Sequence, residues 1–168
     1  MIRVLVAEDS LTMRLMLVEM LRSDPDVQVV AEASDGQEAI ELTKRLRPDV
    51  VTMDINMPLV NGFEATRQIM IEVPTPVVIV SGSFDRHEIH YALSALRSGA
   101  LTILPKPRGP ATGDFDTVRR RFVETIKSMS QVKVVRHWPQ RQPTRPQPLP
   151  PAPPPDTRIR VLAIAVST

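Results

Sequence analysis

The 168-residue sequence contains no cysteine. Disulfides and thiolate metal sites are therefore excluded, and nothing argues for an oxidising compartment. Long apolar runs are missing as well: the longest, Val161 to Val166, falls far short of the roughly 20 residues that a membrane-spanning helix needs. The opening residues, MIRVLVAEDS, lack the basic stretch and apolar core of a secretion signal, so a cytoplasmic protein without membrane insertion is expected. Hairpin turn signals between strand-like runs are also lacking, which argues against an antiparallel sheet.

The net charge of +2 conceals a split. Residues 1–126 carry 14 Lys/Arg and 18 Asp/Glu, net −4, whereas residues 127–168 carry 7 and 1, net +6. The basic character belongs to the tail and is poor support for a nucleic-acid partner; none is expected. Nine of the 17 residues from Pro139 to Pro155 are proline. Such a stretch favours polyproline II, which at about 3.1 Å per residue would span roughly 50 Å as a semi-rigid spacer. The tetrapeptide Ile-Arg-Val-Leu occurs at Ile2–Leu5 and again at Ile159–Leu162, on the far side of that spacer. Each copy reads as the opening strand of an α/β domain. A domain boundary is thus expected between Met129 and Arg158.

Between these points, apolar runs and helical patterns alternate. Val4–Ala7, Val27–Ala33, Val50–Met53, Val77–Val80 and Leu101–Leu104 read as strands, several of them apolar on both faces as buried parallel strands require. Leu11, Leu15, Val18 and Leu21 fall on one helical face. Ala39, Leu42 and Leu46 have the same spacing before Pro48 stops the helix. Further helices are marked by Phe63, Thr66 and Met70, by Ile89, Ala92, Leu93 and Leu96, and by Phe115, Val118, Phe122, Ile126 and Met129. Five strands alternating with five helices predict an α/β fold: a doubly wound, five-stranded parallel sheet with helices on both faces. Its ligand site belongs at the carboxyl ends of the strands, where the strand order reverses.

The residues expected there carry the chemistry. Glu8 and Asp9 end the first strand, Asp54 the third and Ser81 the fourth, and Lys106 follows the fifth. Carboxylates brought together repel unless a cation neutralises them, and an all-oxygen cluster with room for water suits Mg²⁺. With Lys106 and Ser81 facing the same point, the site can accept a phosphoryl group, Asp54 being the natural nucleophile and an acyl phosphate the product. Each of these residues also has a simpler reading. Asp9 as a helix N-cap is made unnecessary by Ser10, Lys106 as a solvated loop lysine leaves the other positions unexplained, and Ser81 as a turn hydroxyl remains a rival. His87 and His90, three apart on a predicted helix, read as an exposed face.

The stretches VLVAEDS, TMDINMP, VNG, VIVSGS and LPKP resemble the receiver domains of two-component response regulators. The resemblance covers residues 1–128 and implies the flavodoxin-like form of the doubly wound fold. It implies direct Mg²⁺ ligation by Asp9 and Asp54, a water-mediated role for Glu8, and a ligand from the main-chain carbonyl of Asn56. Ser81 and Lys106 would hold the phosphoryl oxygens, the Lys106–Pro107 bond would be cis, and a histidine kinase would be the donor. Ile103 occupies the position where many receivers carry a switch aromatic, which puts an aromatic readout of phosphorylation in doubt.

IKSMSQVKVVRHW, the proline-rich spacer and RIRVLAIAVST are similar to the chemotaxis response-regulator methylesterases, the CheB family. That resemblance implies a linker over 129–157, followed over 158–168 by the first strand of a catalytic domain. Ser167 matches the family's nucleophilic serine, although Ala165 and Val166 depart from its pattern. No later residue is present to supply a base or oxyanion donors, so in this chain Ser167 is expected to be inert and residues 131–168 largely disordered. In the full-length protein, phosphorylation would control a methylesterase and glutamine deamidase acting on chemoreceptors, through the receiver's contact with its own catalytic domain. The alternative is a stand-alone phospho-switch acting by protein association. A DNA-binding output fits the tail poorly, since VLAIAVST begins a strand.

Overall fold

The computed structural model describes residues 1–82, 96–109 and 114–135. The elements are β1 (Ile2–Ala7), α1 (Leu11–Arg22), β2 (Val27–Ala33), α2 (Gly36–Leu46), β3 (Val50–Asp54), α3 (Gly62–Glu72), β4 (Val77–Ser81), β5 (Thr102–Pro105) and α4 (Phe115–Met129). All neighbouring strands are parallel, in the order β2-β1-β3-β4-β5. The order reverses between β1 and β3, so their carboxyl ends flank the crevice of a doubly wound sheet. Of the helix expected from Ile89, Ala92, Leu93 and Leu96, only residues 96–98 are described, and they are helical; His87, His90 and Ser167 lie outside the described residues.

Alternation along the strands divides the core between the two faces. Leu5 and Ala7 of β1 pack with Val51, Met53 and Ile79 against Ile40 of α2 and Ile69 of α3. Their neighbours Val4 and Val6 join Val50, Val78 and Val80 on the other face, against Leu17 and Leu21 of α1 and Phe122 and Ile126 of α4. The central strands are buried on both sides, as their continuous β-branched runs predict.

Side-chain caps begin the helices that follow β1, β2 and β3. Ser10 Oγ accepts from Met13 N at 3.4 Å, Asp35 Oδ1 from Glu38 N at 2.8 Å, and Asn61 Oδ1 from Phe63 N and Glu64 N at 3.1 and 3.0 Å. Helix α2 ends at Leu46, Arg47 turns into the left-handed region at φ 49°, and Pro48 follows.

One helical face differs from its sequence reading. Leu11 and Leu15 are exposed, while Leu17, Val18, Met20 and Leu21 are buried. The inward stripe of α1 therefore runs Arg14, Leu17, Val18, Leu21, with helical i, i+3, i+4, i+7 spacing, and a charged residue stands at its amino end.

Candidate functional site

Strand β1 delivers Glu8 and Asp9 just past its last ladder pair. Glu8 N still donates to Ala33 O of β2 at 3.0 Å, which fixes the residue before the chain turns into α1. Asp54 is the last residue of β3, and its Oδ1 accepts from the next amide, Ile55 N, at 2.8 Å. Lys106 stands one residue beyond β5, where its amide donates to Ser81 O at 2.7 Å. Four strand ends thus converge because the sheet is parallel and in register.

The carboxylates of Glu8, Asp9 and Asp54 come within 4.8 Å of one another. Glu8 and Asp54 are buried and Asp9 is exposed, so the cluster opens to solvent on one side. Lys106 Nζ lies between the two buried acids, 3.0 Å from Asp54 Oδ1 and 2.9 Å from Glu8 Oε2. It donates to Glu8 Oε1 at 3.0 Å, while the buried Oε2 accepts no hydrogen bond and is held by the ion pair alone. A buried carboxylate oxygen in that state is costly and fits a further cation. Oxygen-only donors with one open side suit Mg²⁺.

Burial pushes the Glu8 carboxyl above its usual range; the Lys106 hydrogen bond opposes the rise and the Asp54 charge adds to it. Burial works against the Lys106 charge too, but hydrogen bonds to Glu8 and Asp54 outweigh it and hold the ammonium above the ordinary lysine range. The lysine is a fixed positive charge at the working pH.

Ser81 is half-buried at the carboxyl end of β4, opposite Pro105 in the ladder and joined to Lys106 through its carbonyl. Asn56 is exposed in the loop that follows Asp54. Ile103 is half-buried against the core on the α2–α3 face. The cis expectation for Lys106–Pro107 is overturned: among the described residues every peptide bond is trans. Trans is the lower-energy isomer of an ordinary X–Pro bond by about 0.5–1 kcal/mol, and the approach of Lys106 to both acids is met without isomerisation.

Sequence reasoning missed two kinds of support. The first is steric. A Cβ on Gly62 would collide with the main-chain carbonyl of Asp54, and one on Gly36 with that of Val60. Glycine is needed at both places for close backbone approach; the VNG stretch carried the signal for Gly62 alone. The loop between β3 and α3 is further shaped by Gly62 N donating to Ile55 O at 2.9 Å and by Leu59 at φ 62°. The second is Arg14, whose Nη1 donates to Glu8 O at 2.6 Å.

Comparison with known proteins agrees with this fold. Residues 4–113 match the family described as response regulator receiver domain. The protein-glutamate methylesterase/protein-glutamine glutaminase 4 of Myxococcus xanthus is 57% identical over 175 residues, covering 99% of this chain and 48% of that protein. Methylesterase/glutaminase 3 of Anaeromyxobacter dehalogenans is 51% identical over 169 residues, covering 100% and 48%. The chain spans about half the length of these curated relatives. Among solved structures, the response regulator domain of Thermotoga maritima CheB aligns with a TM-score of 0.69 and 42% identity, over 79% of this chain and 98% of that one. Among the described residues no helix is long and apolar enough to cross a membrane. With the fold, the strand-end cluster and the match over residues 4–113 in agreement, the chain belongs to the response regulator receiver domain family.

Proposed function

We propose that this chain is a phosphorylation-controlled receiver in chemotaxis signalling, with Asp54 as the phosphoryl acceptor. The observation that carries the reading is Lys106 Nζ held between buried Glu8 and Asp54 at the carboxyl edge of the sheet. An Asp54 carboxylate oxygen attacks the phosphorus of a phosphohistidine on a histidine kinase. The P–N bond breaks, the imidazole nitrogen leaves, and an acyl phosphate forms. Lys106, and Ser81 through its hydroxyl, neutralise and orient the phosphoryl oxygens. Asp9, Asp54 and the carbonyl of Asn56, with Glu8 acting through water, would hold Mg²⁺, which would supply the remaining positive charge. Water later attacks the phosphorus, the bond between it and the Asp54 oxygen breaks, and inorganic phosphate leaves with the aspartate restored.

The place of action is cytoplasmic. Residues 1–128 form the regulatory domain, 129–157 a linker, and 158–168 the first strand of a catalytic domain in which Ser167 takes the nucleophile's position. The near-full coverage of this chain by methylesterase/glutaminase relatives twice its length supports that division. In the longer protein, phosphorylation of Asp54 controls removal of methyl esters from, and deamidation of, chemoreceptor side chains. A coding sequence that runs past codon 168 into an α/β domain with histidine and aspartate supports this part; a stop codon there removes it.

The phosphoryl step is tested by incubating the chain with acetyl phosphate and Mg²⁺ and mapping the label by mass spectrometry. A single acid-stable but hydroxylamine-labile label is expected on Asp54. Labelling that persists in Asp54→Asn sinks the assignment.

A further inference from the structure

Arginine is an unexpected residue on the inward stripe of an amphipathic helix, where burying its charge costs free energy unless the charge is paired. Arg14 meets that cost with two partners. Its Nη1 donates to Glu8 O at 2.6 Å, and its Nε lies 3.5 Å from Glu32 Oε2 on β2. The side chain is only 15% exposed, against 36% for Glu32.

The bonded carbonyl has a special place. The β1–β2 ladder ends at the Ala7–Ala33 pair, and Glu8 N makes the last strand bond to Ala33 O. The Glu8 carbonyl is the first group beyond the strand, and it belongs to the peptide unit that joins Glu8 to Asp9. A charge-assisted bond to it from a planar fork that is itself held by β2 fixes the plane of that peptide. Both acidic side chains spring from the two ends of that unit.

We propose that Arg14 is a positioning residue of the acidic site: by clamping the Glu8–Asp9 peptide it sets the separation and direction of the two carboxylates for the cation. The inference rests on the Mg²⁺ reading given above. It deepens that reading by assigning a role to a side chain that touches neither the cation nor the phosphoryl group.

Coulomb's law by itself gives the opposite expectation, which makes the test sharp. A guanidinium beside an acidic cluster repels a divalent cation, so its removal would tighten Mg²⁺ binding if charge were all that mattered. Loss of the clamp instead weakens binding, by about tenfold or more if Arg14 matters as much as the partners that orient metal ligands elsewhere. The stability readout separates this from a structural role. Arg14→Met fills the same apolar stripe and is expected to melt no lower than the unsubstituted chain.

The experiment is calorimetric titration of Mg²⁺ into the 168-residue chain and into Arg14→Met, Arg14→Lys, Glu32→Gln and Asp9→Asn, with a melting curve for each. Expected are Mg²⁺ binding to the unsubstituted chain and none to Asp9→Asn. Arg14→Met should be weakened about tenfold or more at an unchanged or higher melting temperature, Arg14→Lys less so, and Glu32→Gln by less than about threefold. Unchanged or tighter binding by Arg14→Met overturns the positioning role while leaving the acidic site intact. A loss in Glu32→Gln equal to that in Arg14→Met moves the effect to the β2 ion pair and overturns it as well. An unsubstituted chain that takes up no Mg²⁺ overturns the metal reading, and the proposal with it.

Discussion

Each end of the sheet carries one lysine set between two acids. At the carboxyl edge Lys106 Nζ meets Glu8 and Asp54 at 2.9 and 3.0 Å; at the amino edge Lys127 Nζ meets Asp24 and Asp26 at 3.0 and 2.8 Å. The distances are nearly the same and the environments are not. The side chains of Glu8 and Asp54 are 0% and 3% exposed, those of Asp24 and Asp26 24% and 70%. Burial drives the Glu8 carboxyl up despite its lysine, whereas Asp24 is held below the usual carboxylate range, first by the Asp26 amide and then by Lys127. One cluster is a tie between α4 and the start of β2. The other keeps two carboxylates buried around one ammonium, at a cost in stability.

The largest expected effect concerns the backbone that shapes the buried cluster. Gly62→Ala forces the Asp54 carbonyl and the start of α3 apart, at a cost of about 3 kcal/mol. Chemical denaturation should show it as a lowered midpoint at constant slope. A midpoint unchanged from the unsubstituted chain would mean that the close approach is dispensable.

Glu8→Gln tests the contrast itself. The raised Glu8 value means that its protonated form is favoured on folding, so this group's stabilisation is present below the unfolded carboxyl value and lost as pH rises through the folded one. Removing the charge should therefore raise the melting temperature at neutral pH without metal, and weaken Mg²⁺ binding by about tenfold to a hundredfold. A lower melting temperature would erase the distinction between the two ends.

The smallest effect belongs to the exposed cluster, where solvent screens the ion pairs. Lys127→Met should lower the melting temperature at pH 7 by no more than a few degrees. Because the folded Asp24 value is depressed, its contribution is present above about pH 4, the ordinary carboxyl value, and disappears as pH falls through the folded value. The difference between variant and parent should thus close in melting curves taken toward pH 3. A difference that persists there would mean that Lys127 acts through packing.

The strands and most helices were legible because period-2 and period-3.6 patterns report which face is buried. The acidic cluster was legible because a parallel sheet sends every strand end to one edge, so Glu8, Asp9, Asp54 and Lys106 needed only strand assignments to be brought together. What remained hidden depends on contacts that local sequence does not encode. Leu11 and Leu15 looked like the inner face of α1, yet Arg14 holds that place, its partners coming from the end of β1 and from β2. The need for glycine at 36 is set by Val60, on another connection, and Lys127 finds Asp24 across 103 positions of sequence. The Lys106–Pro107 bond, expected as cis from resemblance alone, is trans.

Helix α4 starts at the edge that holds Asp54 and ends at the edge that holds Lys127. Its 15 residues cover about 22 Å along the axis, and the bonds from Lys127 to Asp24 and Asp26 anchor its far end. Met129, the last residue of the helix, therefore lies at the pole of the domain remote from Asp54. A change at Asp54 has the length of that helix to cross if it is to be felt at Met129, and a much shorter way to go if it leaves sideways across the exposed surface of the carboxyl edge.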